Sequence, residues 1–337
     1  MKYILLILVS FTALTFSACS SKEVYKPVHV VDDWESSGNS EVTIKNVAPD
    51  AALVQDNKVL VLDRVVETDR VLDVKIAQED RLLGYSDGWV ISSNIDGKLT
   101  LQYPEDRSMV EMFDLKKTVA TASINKDILA VLFANNEMAL YSISQKTLLL
   151  KEQGDAPIAI NSKIVKPYFR DDIVIFSTLD GKIVVINSKL KKKLRTIIVS
   201  SEDHFNNIIH FSLVDNKIIA ATGHKILSIA EKEIRQDYDI RSVVGEDKTI
   251  YIATKQGEII SLTSDLQQNA KIKFPFAHFL GMIASNGKLY ALEKEGYIIE
   301  LSSDLQTYSV YEVDVDEGYV YISGKKFYVD DEYISVE

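Results

Sequence analysis

The sequence predicts an all-β protein: a single β-propeller, with eight four-stranded blades as the first reading and seven as the alternative. Three observations carry this expectation. Tight-turn residues recur at an even interval along the chain, each turn is flanked by short β-branched and aromatic runs, and no long stretch has helical periodicity. Without helical segments between the strands, a parallel α/β fold is disfavoured.

The clearest unit is residues 127–150, DILAVLFANNEMALYSISQKTLLL. An apolar run at 128–133 meets Asn135-Asn136, an alternating run returns over 138–142, and a third follows at 147–150. Asn tolerates the positive φ of tight hairpins, and the β-branched and aromatic residues suit pleated strands. With the run at 118–123 this makes one blade, ordered from inner to outer strand. The unit recurs around Asp180-Gly181, Gln256-Gly257 and Glu295-Gly296. Turns near Asn57, Gly97, Asn136, Gly181, Gly223, Gly257, Gly296 and Asp331 lie 34–45 residues apart, the period of propeller blades. The last unit has runs at 319–322, 326–329 and 333–336 but no outer strand. Residues 28–31, VHVV, are expected to supply it and close the ring, since closure removes exposed sheet edges.

The chain opens MKYILLILVSFTALTFSAC, where Lys2 and an apolar core over 3–14 predict a signal peptide across 1–18. Phe16-Ser17-Ala18-Cys19 resembles the lipobox of bacterial lipoproteins, which implies that Cys19 is acylated and begins the mature chain. Cys19 is the only cysteine, so no disulfide framework is expected. Residues 19–40 then read as lipidated Cys, tether and closing strand, and 41–337 as the propeller. A net charge of −11 argues against nucleic acid, and no second apolar run approaches about 20 residues.

Catalytic signatures are missing: the chain has no Gly-x-Ser-x-Gly, Walker A loop or His-Glu-x-x-His. The expectation is a non-enzymatic protein with no cofactor and no metal site. His204 and His210 bracket FNNII, but a six-residue spacing does not make ligands converge. The acidic run 314–318 lacks the later ligands of a calcium loop. The basic run KLKKKLR, 189–195, reads as a solvated outer strand. Partner-binding candidates are Tyr103, which precedes Pro104, and Phe274, Phe276 and Phe279 around Pro275. Proline keeps such segments out of central strands, and aromatics exposed on a propeller face suit interfaces. Packing between blades is the competing fate for these rings.

DGKIVVINSKLKKKL (180–194) and GEIISLTSDLQ (257–267) resemble the G-x-[IVL]-x-[AS]-[LI]-[DN] segment of quinoprotein (PQQ-like) repeats. Together with the lipobox and tether, the chain resembles the BamB-like lipoproteins of the outer-membrane β-barrel assembly machinery. The usual Trp docking motif does not repeat, since Trp34 and Trp89 are the only tryptophans. The resemblance implies a scaffold lipid-anchored to the periplasmic face of the outer membrane, which Ser20 after the Cys also favours. It further implies that inter-blade loops bind the periplasmic domains of the barrel-assembly protein and unfolded outer-membrane protein clients. The alternatives are a binding subunit of another envelope complex and a degenerate quinoprotein-type enzyme.

Overall fold

In the computed structural model, residues 23–63, 68–315 and 318–337 are described. Cys19 and the expected signal peptide lie outside them, as do Asp316 and Glu317 of the acidic run. The strands form eight four-stranded antiparallel sheets, the blades of one propeller. Blades 1 to 7 span 44–72, 81–114, 119–153, 168–198, 210–237, 240–273 and 279–312. Blade 8 takes its three inner strands from 320–335 and its outer strand from the N-terminus. All eight turns expected from the sequence join the second and third strands of a blade, including those at Gly223 and Asp331.

The hydrophobic core is divided among eight clusters, one at each seam between neighbouring blades. In blade 3 the second strand, Ile128–Phe133, sends Leu129, Val131 and Phe133 toward blade 2 and Ala130 and Leu132 toward blade 4. Both faces of that strand are therefore buried, which is why it reads as continuous apolar sequence. Outer strands are wet. Lys192–Ile198 of blade 4 carries the basic run, and Lys193 and Arg195 pair with Glu152 and Glu233 on the adjoining blades.

The turn chemistry fits the positions the sequence marks. Gly257 has φ +76°, and a Cβ there would lie 2.3 Å from the carbonyl oxygen of Phe274, so the outgoing chain requires glycine. Blade 3 uses Asn136 at φ 64° instead. Its amide accepts the N–H of Leu179 in blade 4 and donates to the Asp155 carbonyl, both at 2.8 Å.

One expectation is corrected. The closing strand is Ser37–Asn39, not residues 28–31, and it pairs antiparallel with Glu332–Ser335. Residues 28–31 lie along the edge of blade 7 instead, with Val28 fully exposed and the Val31 N–H on the Val310 carbonyl at 2.9 Å. The choice is made by Trp34. Its indole donates to the Ser335 carbonyl at 2.8 Å and packs edge-on against Tyr290 and Tyr311, which fixes the register of the next few residues. Upstream, Tyr25, which falls in the expected tether, is buried at the seam of blades 6 and 7 against Phe274 and Tyr297.

Candidate functional site

Because each blade runs inner to outer, the crossovers between blades and the turns between second and third strands share one face, the crossover face. The hairpins between first and second strands and the links to the outer strands occupy the other. On the crossover face, Phe276 is 58% exposed and Phe205 52%, and Ile95, Ile158 and Ile160 are exposed with them. The Phe205 N–H donates to the Ala159 carbonyl at 2.9 Å, which joins the crossovers entering blades 4 and 5 and places Phe205 beside Ile158 and Ile160.

Both phenylalanines are held at positive φ, 53° for Phe205 and 66° for Phe276. The Ala277 N–H bonds the Phe274 carbonyl at 3.1 Å, closing a turn with Pro275 second and Phe276 third. The third position of such a turn favours glycine, and a bulky residue there costs on the order of 1 kcal/mol or more. The strain projects an aromatic ring into solvent.

The expected binding aromatics separate. Phe276 is exposed on the crossover face, whereas Phe274 and Phe279 are 3% and 1% exposed and belong to the core between blades 6 and 7. With no surface to offer, they are packing residues. Tyr103 lies half-buried on the opposite face, edge-on to Trp89 at 5.3 Å, so it shares no surface with Phe276. The residues missed from sequence are Phe205, Ile158, Ile160 and Ile95. A usable signal existed for two of them: Ile158 and Ile160 sit in the longest interval between turns, Asn136 to Gly181.

That interval contains the crossover 154–167, which enters the central opening. The blade-4 inner strand is only Tyr168–Arg170, because Pro167 lacks an N–H and the preceding residues leave the sheet. Lys163 donates to the Arg241 carbonyl of blade 6 at 3.1 Å, and Lys166 forms an ion pair with Asp50 of blade 1. Contacts from blade 4 to blades 6 and 1 can be made only across the opening, so the segment partly fills it. Below it, a cavity of about 660 Å³ opens on the opposite face, lined among others by Asp50, Asp63, Arg70, Tyr85, Asp87 and Lys166.

The histidines do not converge. His210 begins the blade-5 inner strand and bonds the Ser212 hydroxyl at 2.8 Å, while His278, entering blade 7, meets Arg241. Burial, and then the charge of Lys163, push the His210 imidazole down to about 4, so it is neutral at physiological pH. Among the described residues no group of three or more His, Cys, Asp or Glu is placed to hold a metal, and no helix is long and apolar enough to cross a membrane.

No family model matches the chain. Plasminogen-binding protein PgbB of Helicobacter pylori is 34% identical over 178 residues, which is 52% of this chain and 33% of that protein. The chain thus spans about a third of the length of the curated relative it matches. Among solved structures, BamB from Moraxella catarrhalis superposes with a TM-score of 0.66 at 13% identity, covering 88% of this chain and 97% of that one. The C-terminal WD40 domain of Sif2 gives 0.61 at 12% identity, covering 94% and 99%. At such identities the likeness concerns the fold. In architecture the chain is an eight-bladed propeller that superposes on BamB and is divergent from it in sequence.

Proposed function

We propose that the protein is a non-enzymatic scaffold that binds protein partners through its crossover face. The observation that carries the reading is the pair of exposed phenylalanines, Phe205 and Phe276, held at positive φ on inter-blade crossovers. Strained backbone that presents apolar rings to water is retained where a partner covers them. The fold shared with BamB, and the quinoprotein-like repeats behind a lipobox, support a place in the outer-membrane β-barrel assembly machinery. Its partners there would be the periplasmic domains of the barrel-assembly protein and unfolded clients.

In this reading Cys19 is acylated and holds the propeller at the periplasmic face of the outer membrane. The docked Tyr25 lies six positions after Cys19, a reach of about 20 Å at most, so the lipid would keep blades 6 and 7 close to the bilayer. Replacing Cys19 with Ser should release the protein from membranes without unfolding it, and full retention would remove the anchor from the proposal.

The identity to PgbB favours a second reading, a surface propeller that binds a soluble host protein such as plasminogen. Crosslinked capture from the native envelope, read by mass spectrometry and set beside plasminogen binding by the purified protein, separates the two. Recovery of the barrel-assembly protein, lost in Phe205→Ser/Phe276→Ser, supports the scaffold in assembly. Plasminogen binding without that recovery supports the second reading.

A further inference from the structure

Several of the less exposed cations on this acidic protein are ion-paired. Lys166 meets Asp50, Lys182 meets Asp155 and Asp180, and Lys217 meets Asp265. Two cations at the central opening lack such a pair: Arg241 is half-buried and Lys163 is exposed. Arg241 and Lys163 form no ion pair with any described carboxylate, although they are close enough for the lysine ammonium to bond the arginine's own carbonyl. The guanidinium's Nη1 faces His278 Nε2 at 2.5 Å, and its Nε is buried with no hydrogen-bond partner among the described residues.

The backbone delivers this arrangement. The blade-6 inner strand, Ile240–Glu246, pairs through Ile240 and Ser242 with a register shift between them, so Arg241 is the extra residue of a β-bulge. The same bulge recurs on the inner strands of blades 1, 2, 3 and 7, and here it re-aims the side chain of Arg241. Lys163 arrives on the crossover that enters the opening, and His210 and His278 stand at the entrances to blades 5 and 7. Nitrogen groups of Lys163, Arg241 and His278 therefore meet at the crossover-face end of the opening, with His210 apart from them.

Glu293, a buried carboxylate of blade 7, is engaged elsewhere. It accepts the backbone N–H groups of His278 at 2.8 Å and Glu295 at 2.7 Å. Burial raises its pKa, and no cation offsets that. Burial lowers the guanidinium of Arg241, and lowers Lys163 together with the neighbouring Arg241 charge. Two cations side by side without a carboxylate attract an anion, and an oxyanion reaching both side chains would neutralise them.

We propose that Arg241 and Lys163, with His278 beside them, form an oxyanion-binding site that takes one carboxylate or phosphate group of a ligand entering from the crossover face. The site lies inside the ring whose rim carries the exposed apolar residues, so a ligand with an anionic group and apolar flanks would engage both. The site does not depend on which protein partner the scaffold serves.

The test is thermal unfolding at constant ionic strength, with sodium phosphate or sodium acetate titrated in place of sodium chloride. An anion that binds the folded state raises the melting temperature according to its affinity. One or both anions should exceed chloride: phosphate alone identifies a phosphate-bearing ligand, and acetate a carboxylate. Arg241→Gln and Lys163→Gln should each weaken the response at least ten-fold, while Lys255→Gln, an exposed cation on the same face, should leave it intact. If neither anion exceeds chloride, or the double variant responds like the parent, the site does not exist. Should a variant fail to fold, the Arg241 Nε–H resonance of the unsubstituted protein decides, since it must shift saturably with the anion.

Discussion

Tyr328 of blade 8 donates its phenolic hydroxyl to Asp69 of blade 1 at 2.7 Å, across the seam where the two ends of the chain meet. Asp69 lies on the outer strand of blade 1, Thr68–Leu72, and also accepts from the Ser323 hydroxyl and pairs with Lys326 at 3.3 Å. Burial and then the Asp69 carboxylate raise the Tyr328 pKa, so the phenol remains a donor across the physiological range. Every other seam joins blades consecutive in sequence. This one joins the first blade to the last, and three side chains of blade 8 converge on one carboxylate to hold it.

Asp69→Ala strands Tyr328 and Ser323 without their acceptor and should cost about 2–4 kcal/mol, while Tyr328→Phe should cost about 1 kcal/mol. Denaturant unfolding measures both. An Asp69→Ala protein as stable as its parent would mean that apolar packing alone closes the ring.

Trp34 should be the main fastener of the closing strand, because its indole hydrogen bond and two aromatic contacts set the register of Ser37–Asn39. Trp34→Ala is expected to destabilise by about 2–4 kcal/mol and to raise amide exchange in Glu332–Ser335 before the other blades. Uniform exchange across all blades would argue against local opening there.

Phe276→Gly relieves positive-φ strain at an exposed site and should stabilise the fold by about 0.5–1 kcal/mol while weakening partner capture. Phe279→Ala, three residues on but buried, should cost about 3–5 kcal/mol. Melting curves and envelope crosslinking on the same two variants separate presentation from packing. Unchanged capture by Phe276→Gly would remove this ring from the interface.

His210 makes the fold acid-sensitive. Burial holds its pKa at about 4 in the folded chain, against about 6.5 for a solvated imidazole, so between those limits the unfolded chain binds the proton more readily. Its contribution is flat above about pH 6.5, and stability falls as pH drops toward 4, by up to about 3 kcal/mol. His210→Gln should lack this component of the slope. Parallel stability–pH curves for parent and variant over pH 4–7 would show the imidazole to be hydrated and unshifted.

Asn136→Ala removes the amide hydrogen bonds that tie the blade-3 turn to Leu179 of blade 4 and to Asp155 on the crossover between them, and puts a less tolerant residue at φ 64°. A loss of about 2–3 kcal/mol is expected. Asn136→Gly keeps the backbone but not the bonds, so it should recover only part of that loss in the same denaturant measurement.

The blade count was legible because each turn carries its own local chemistry. Asn136, Gly181, Gly257 and Gly296 all take positive φ between short strands, and that demand is met by the residue itself. The closing strand was not legible. Residues 37–39, SGN, have turn-like composition and become a strand only because the open edge at Glu332–Ser335 pairs with them, while VHVV looks like a strand and lies on the surface. The aromatics of residues 274–279 show the same limit. Phe274, Phe276 and Phe279 are indistinguishable as residue types, and only the turn at Pro275 and the neighbouring blade decide which ring is buried.

What the sequence determined by itself is what local rules control: short strands, hairpin turns, an eightfold period and a truncated last unit. Tertiary structure decided which N-terminal residues complete the ring, which face presents Phe205 and Phe276, and that Arg241 and Lys163 meet at the axis. Those outcomes depend on contacts between residues far apart in the chain, such as Tyr328 with Asp69 and Lys163 with Arg241. A blade's own residues specify how it folds, but its neighbours exist only once the ring has closed.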